Sequence, residues 1–234
     1  LVPVHQWLYE CVGILHRDLS SGNIMYRRID GKIYGVLNDF DLSSRVRDMA
    51  HGPTSNQRTG TRPFMSLDLL DPTWKGGHFY RHDLESLFYI ILCLACRYEA
   101  PGVPAPEPRA YSKWFSGSDQ DIFDNKNTFL TSPFALINGL PIQPYFAGFE
   151  RWLRKIYDQL RGGYHQRPFC PKNLSTSNAE ESEDEELEFL QNDNDLNFDW
   201  NTLNRHVSYA RMRLVMSSFK GKSLETRWAG KLEF

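Results

Sequence analysis

The octapeptide 16–23, His-Arg-Asp-Leu-Ser-Ser-Gly-Asn, is the stretch that most constrains this chain. It places a carboxylate, Asp18, and a carboxamide, Asn23, five positions apart. A second carboxylate, Asp39, follows after two strand-like runs that flank the turn dipeptide Asp30-Gly31. Because a hairpin returns the chain to its starting point, we expect Asn23 and Asp39 to converge. Such oxygen atoms suit a divalent cation together with phosphate groups.

Composition describes an ordinary globular protein. The chain has 234 residues, of which 41% are hydrophobic and 24% charged, which is enough for one sizeable core. Its formal net charge of -2 provides no basic field of the kind that attracts nucleic acid or an anionic membrane surface. We therefore expect neither nucleic acid nor a membrane as a partner.

The cysteines and apolar runs indicate an intracellular location. The apolar run 87–95 surrounds Cys93 and is shorter than the roughly 20 residues of a membrane-spanning helix. Cys93 and Cys96 have no second cysteine pair and no nearby histidine, so a buried helix is favoured over a redox or zinc site. With only four cysteines and no signal peptide, the sequence predicts a soluble protein of the cytoplasm or nucleus.

Apolar residues at three- and four-residue spacing predict several helices. Glycines mark two of their ends, Gly13 for the first helix and Gly162-Gly163 for a later one. Four prolines between Pro101 and Pro108 exclude a helix there. The predicted helical spans are residues 4–13, 146–160 and 200–219, with short turns at 113–115 and 125–130.

Further motifs follow the hairpin in a recognisable order. Residues 39–41 read Asp-Phe-Asp, 60–68 read Gly-Thr-Arg-Pro-Phe-Met-Ser-Leu-Asp, and 82–87 read His-Asp-Leu-Glu-Ser-Leu. With the octapeptide, this order resembles the catalytic core of the protein kinases, most of all the fungal-type protein kinases. The resemblance covers roughly residues 1–100 well and the remainder only by general pattern.

This resemblance implies an α+β, mainly α fold: a protein-kinase-like C-terminal lobe around one long buried helix near residues 83–97, with a small β-hairpin at the catalytic loop. It implies that Asp18 accepts or orients the proton of the attacking hydroxyl, while Asn23 and Asp39 hold Mg²⁺ on the phosphates of ATP. The implied acceptor is a protein substrate. The hydroxyl of Thr61 would lean toward Asp18, as in kinases specific for serine and threonine.

The resemblance also assigns structural and regulatory roles. His16 would pack in the core, and Asp83 would hold the backbone of the catalytic loop from beneath. Arg17 would pair with a phosphate or carboxylate on the polar segment 42–68, which corresponds to the activation segment. Phosphorylation of Thr54 or Thr59 would then order this segment through Arg17, although solvated loop residues explain the same hydroxyls equally well.

Three residues depart from the kinase pattern. Ser20 stands where many Ser/Thr kinases have a lysine that touches the transferred phosphate, so one positive charge is missing. Asp41 replaces the glycine of Asp-Phe-Gly, which removes a conformationally permissive residue and adds a carboxylate. Asp68 replaces a glutamate that pairs with a later arginine, and the sequence does not identify that arginine.

The glycine-rich loop, strand lysine and helix glutamate of a kinase N-terminal lobe do not fit into the fifteen residues before His16. Either that lobe was left out of the sequence or the protein truly lacks it and binds ATP poorly; we favour omission and count the lobe as a partner of this chain. Residues 1–172 are then the C-lobe core, with a Pro-rich insertion near 100–145. Residues 173–199, with the acidic run 180–186, form a disordered insertion, and 200–234 a C-terminal helix and tail.

Two other functions stay open. Small-molecule phosphotransferases of the aminoglycoside or choline kinase type use a similar loop and a D-x-D metal motif, which Asp39 and Asp41 match slightly better. Arg17 and the segment 60–68 argue against that class, because its members lack an activation segment. The third possibility is a catalytically weak pseudokinase or scaffold.

Overall fold

The computed structural model describes residues 1–49, 60–132, 139–168 and 197–224, and its strands pair in two-stranded antiparallel sheets. The helices are α1 (Val2–Trp7), α2 (Val46–Met49), α3 (Leu67–Leu70), α4 (Tyr80–Arg97), α5 (Lys113–Ser116), α6 (Asp119–Thr131), α7 (Glu150–His165) and α8 (Tyr209–Val215). The strands are β1 (Ile14–Leu15), β2 (Ile24–Ile29), β3 (Lys32–Leu37), β4 (Ser44–Arg45), β5 (Tyr98–Ala100), β6 (Val103–Pro104), β7 (Ser218–Phe219) and β8 (Lys222–Ser223). Helices and small sheets together confirm the predicted mixed fold, while its restriction to a C-terminal lobe stays a prediction.

Helix α4 lies at the centre of the core and begins three residues before the predicted start. Its C-terminal half is apolar and packs tightly, with Phe88 and Leu92 fully buried. Burial raises the pKa of both Cys93 and Cys96 to about 12, which is the environment of inert core thiols. None of the described helices is long and apolar enough to cross a membrane.

The hairpin of β2 and β3 has the predicted turn. Ile24 pairs with Leu37 at its base, and Ile29 pairs with Lys32 beside the turn. Asp30 and Gly31 both have positive φ, 49° and 73°, as a type I′ turn requires. This register brings residue 23 next to residue 38, at the mouth of the hairpin. Strands β1 and β4 form a second sheet just behind it, in which Leu15 pairs with Ser44.

The first helix ends as predicted but buries a different face. After α1 the chain continues as a π-helical turn, Leu8–Val12, and stops at Gly13 in the left-handed conformation. The sequence predicts that Val4 and Val12 face the core, yet they are 40% and 44% exposed. His5 lies in the core instead because its ring hydrogen-bonds two buried partners, Asp83 and Tyr209.

The predicted glycine stop at residues 162 and 163 is wrong. Helix α7 runs through both glycines to His165. A β-carbon at Gly163 would lie 2.7 Å from the Cβ of Leu203, and one at Gly162 would lie 2.9 Å from the ring of His206. These glycines therefore serve close packing against the C-terminal segment rather than helix termination.

The predicted C-terminal helix over 200–219 is also wrong at both ends, since only Tyr209–Val215 is α-helical and Ser218–Phe219 is strand β7. The chain turns through Leu203, Asn204 and Arg205, all with positive φ, and α8 starts only after Ser208, whose hydroxyl accepts the N–H of Arg211. Leu203, Val207, Met212 and Val215 are nevertheless buried. Their spacing therefore identifies core positions correctly but assigns the wrong backbone conformation. The acidic run 180–186, Thr54 and Thr59 lie outside the described residues.

We expect Gly163→Ala to lower the free energy of unfolding by about 1–3 kcal/mol, because the new methyl group meets a Cβ anchored to the backbone. In an exposed helix the same change would be stabilising. Gly162→Ala is the matched control and should cost less, since the His206 ring can rotate away. Urea denaturation measures both, and an unchanged or more stable Gly163→Ala protein would contradict the packing role.

Candidate active site

Asp18 is held from two sides in the crevice between the octapeptide and the segment after Gly60. Its Oδ1 accepts hydrogen bonds from the backbone N–H and the hydroxyl of Thr61, both at 2.8 Å. The Asn23 side-chain nitrogen donates to the Asp18 backbone carbonyl at 2.9 Å and, less closely, to Oδ2 at 3.3 Å. Oδ2 is consequently the carboxylate oxygen with the weaker internal contacts.

The mouth of the hairpin brings the backbone of Asn23 next to Asn38, the residue before Asp39. The N–H of Asn38 donates to the carbonyl of Asn23 at 2.9 Å, so Asp39 is the next residue after the last paired position. Asp39 is exposed and has a left-handed backbone with φ of 61°, which Asp tolerates better than most residues. Its Oδ1 lies 3.4 Å from the backbone nitrogen of Asp41.

These two residues fit the requirements of Mg²⁺. The Asn23 amide nitrogen points at Asp18, which leaves the amide oxygen free of that contact, and Asp39 is exposed. Mg²⁺ typically binds one or two such oxygens and completes its octahedron with phosphates and water. In the part of the chain that the structure describes, no group of three or more His, Cys, Asp or Glu side chains could hold a metal by itself.

His16 joins the octapeptide to the Asp-Phe-Asp motif and is 1% exposed. Its Nε2 lies 3.0 Å from the carbonyl of Asn38, and a carbonyl only accepts, so Nε2 carries the hydrogen. Nδ1 is then the acceptor for the backbone N–H of Asp18, at 3.4 Å. The ring also packs on Phe40, with centroids 4.9 Å apart. His16 is thereby placed to pack and orient the site.

Asp83 supports the octapeptide from within the core. Its Oδ2 accepts the backbone N–H of Arg17 at 3.1 Å and Nε2 of His5 at 2.8 Å, while Oδ1 accepts Nε2 of His78 at 2.9 Å. Burial opposes ionisation, but the hydrogen bonds from the two histidines outweigh it and hold the pKa of Asp83 well below its usual range. The contact fixes Arg17, whose backbone is left-handed with φ of 71°.

The side chain of Arg17 contacts a hydroxyl. Its Nη1 donates to Oγ of Ser44 in β4, and its Nε is buried without a hydrogen-bond partner. Burial lowers the pKa of Arg17, and the charge of Asp83 partly counteracts this. The expected phosphorylated partner, Thr54 or Thr59, lies outside the described residues, so that role stays a prediction.

Two of the three departures lie next to Asn23 and Asp39. Ser20 is buried, 6% exposed, and its carbonyl accepts the N–H of Asn23 at 3.2 Å. Ser20 is therefore built into the loop and presents no charge to a phosphate. Asp41 is exposed and does not have a positive φ. The left-handed backbone conformation occurs at Asp39 instead. An aspartate at position 41 is thus accommodated without backbone strain.

Asp68 closes the segment that begins at Gly60. It is fully buried and forms ion pairs with Arg81 and Arg167, and His82 Nε2 lies 3.4 Å from it. Burial opposes its ionisation, but Arg81 and the other partners hold the pKa of Asp68 well below its usual range. Burial and Arg81 lower the pKa of His82 to about 3. Arg167 is the later arginine that the sequence could not identify, and Arg81 is a second one.

Sequence reasoning missed five polar residues that support the site. Some of them occupy helix positions where an apolar residue would be expected, and only such a position could have indicated burial. Lys126, for example, occurs midway between Ile122 and Leu130 at four-residue spacing on α6. The missed residues are His5, His78, Arg81, Lys126 and Arg167.

Comparison with known families agrees with this geometry. Residues 1–96 match the family model described as fungal protein kinase, and these residues include Asp18, Asn23, Asp39 and Asp83. No match to the chain is found among curated proteins. The matched region ends within α4, so it covers the octapeptide, the hairpin and the segment that carries Thr61. Residues 1–96 are therefore related to the fungal-type protein kinases.

Proposed function

We propose that this chain carries the catalytic site of a protein kinase that transfers the γ-phosphoryl group of ATP to a hydroxyl of a protein substrate. The observation that carries the proposal is the double hydrogen bond from Thr61 to Asp18 Oδ1. It orients the carboxylate beside the Asn23 and Asp39 pair. The relationship of residues 1–96 to fungal-type protein kinases supports the same reaction class.

In this proposal Asp18 handles the proton. Oδ1 is occupied by Thr61, which leaves Oδ2 to accept a hydrogen bond from the incoming hydroxyl and then its proton. Asn23 and Asp39 are the residues that would hold Mg²⁺, which supplies charge neutralisation at the phosphates. Phosphoryl transfer requires little covalent assistance, so these residues act by positioning and by electrostatics.

The contact of Thr61 with Asp18 favours serine or threonine over tyrosine as the acceptor. Ser20 supplies no positive charge for the transferred phosphate, and we infer a slower reaction than in kinases that have a lysine there. We further propose that nucleotide affinity depends on an N-terminal lobe as a partner. The chain alone should then bind ATP weakly.

Asp41 is the feature that favours the second candidate, a small-molecule phosphotransferase. It is exposed beside Asp39, as the second carboxylate of a D-x-D metal motif would be. The two candidates differ in what they expect of this residue, because only the second makes Asp41 a metal ligand.

We expect Asp18→Asn to reduce phosphoryl transfer by about 10²–10⁴-fold while nucleotide binding persists, because the proton acceptor is lost and the metal ligands remain. Asp39→Asn should instead weaken the magnesium-dependent part of ATP binding. Calorimetry with and without Mg²⁺, together with radiolabel transfer, measures both effects in a chain extended to include an N-terminal lobe. Undiminished transfer by the Asp18→Asn protein would exclude Asp18 as the base.

Asp41→Asn separates the two candidate functions. We expect it to leave magnesium-dependent ATP binding unchanged if the chain is a protein kinase, since Asn23 and Asp39 then hold the metal. Loss of that binding, together with labelling of a small amine or alcohol and never of a protein, would establish the small-molecule reaction instead. ATP binding without any transfer would indicate a pseudokinase.

We expect Thr61→Val to lower kcat by about 10-fold with little change in the KM for ATP, because it removes one hydrogen bond to the carboxylate and keeps the backbone one. Thr131→Val is a matched control, since the Thr131 hydroxyl donates only to the Asn127 carbonyl within α6. Steady-state kinetics on both proteins test the role of Thr61. Equal rates for the two variants would remove Thr61 from the site.

A further inference from the structure

Lys126 is a fully buried lysine that the proposed reaction does not use. Its ammonium lies 3.7 Å from the ring centroid of Tyr89 and 5.1 Å from that of Trp114, and it donates a hydrogen bond to the backbone carbonyl of Met65. Lysine is rarely buried because removing its charge from water is costly. That cost lowers the pKa of Lys126 to about 7, although the charge of Glu85 opposes the shift.

No carboxylate among the described residues lies within ion-pair distance of Lys126, so a salt bridge does not account for its burial. Glu85, whose charge raises the pKa of Lys126, accepts hydrogen bonds from other groups. These are the Leu67 backbone N–H and the hydroxyls of Tyr89 and Tyr164. The hydrogen bond to the Met65 carbonyl and the aromatic faces are the contacts that the ammonium makes.

The Met65 carbonyl belongs to a tight turn that carries Thr61. The N–H groups of Phe64 and Met65 both donate to the Thr61 carbonyl, at 2.8 and 3.2 Å. Thr61 in turn donates its own N–H and hydroxyl to Asp18 Oδ1. A short series of hydrogen bonds thus connects Lys126 to the carboxylate at the centre of the candidate site.

Helix α6 contacts this turn at a second place. Arg62 donates through Nε to Oδ1 of Asp119 at 2.7 Å and through Nη2 to the carbonyl of Gly117 at 2.8 Å. Both side chains of the Arg62–Asp119 ion pair are more than half exposed. Exposed ion pairs contribute little to stability. Apolar packing of Met65 against Ile122 also joins α6 to the turn, but of the two polar attachments the buried contact of Lys126 is the stronger.

We propose that Lys126 is a positioning residue, whose ammonium, seated between Tyr89 and Trp114, holds the Met65 carbonyl and thereby keeps Thr61 on Asp18. The relevance of this contact to catalysis rests on the proposed function, whereas the contact itself can be tested without activity. A methionine at position 126 would fill similar volume and lack the donor. Packing alone would then be preserved while the attachment is lost.

Amide hydrogen exchange followed by NMR tests the proposal in Lys126→Met. We expect the amides of Thr61 and Met65 to lose protection by about 10-fold more than the core amides of α4, a factor that corresponds to about 1.4 kcal/mol. Tyr157→Phe is the matched control, because it removes another hydrogen bond to a backbone carbonyl, the part-buried one to Phe129. It should lower protection at Thr61 and in α4 by the same factor.

Equal loss of protection at Thr61 and in α4 of Lys126→Met would overturn the proposal and reduce Lys126 to a packing residue. If that variant does not fold, Lys126→Leu, which also lacks the donor, is judged by the same comparison. In an active extended chain, Lys126→Met should lower kcat and leave the KM for ATP unchanged. Absence of transfer in the unsubstituted protein would refute the proposed function, while the exchange comparison would still decide the role of Lys126.

Discussion

The buried carboxylate of Asp83 is the group on which the rest of the site depends. It accepts hydrogen bonds from α1 through His5, from the octapeptide through the Arg17 backbone, and from the chain before α4 through His78. A buried charge with three good donors is stable, but the loss of any donor leaves it partly unsatisfied. The three segments must therefore be in place together, which gives the catalytic loop one conformation rather than several.

The same design recurs along the first half of α4. Asp68 pairs with Arg81 at one end of the segment that carries Thr61, and Glu85 accepts the N–H of the neighbouring Leu67. Lys126 holds a carbonyl of that segment from the opposite side. Apolar packing would be less costly at each position, but it would not fix the direction of a backbone N–H or carbonyl. Buried charges here supply orientation more than stability.

Some of this arrangement follows from sequence and some does not. Local rules sufficed for the Asp30-Gly31 turn and for the end of the first helical stretch at Gly13, since both depend on backbone conformations that few residues adopt. Hydrophobic periodicity identified the buried positions near Leu203 but not the turns of the chain there. Any backbone conformation that places the same side chains in the core gives the same pattern. His5 and Lys126 were missed since their burial depends on partners distant in sequence, and a polar residue in an apolar stripe reveals no partner.

The hydrogen bond between His5 and the Tyr209 hydroxyl has a consequence for the order in which the molecule is made. It extends the support of the octapeptide to Tyr209, a residue 204 positions beyond His5. Closing a loop of that length costs conformational entropy, and residue 209 leaves the ribosome long after residue 18. During synthesis the octapeptide therefore exists for most of the time without its full support, which is complete only when α8 has docked.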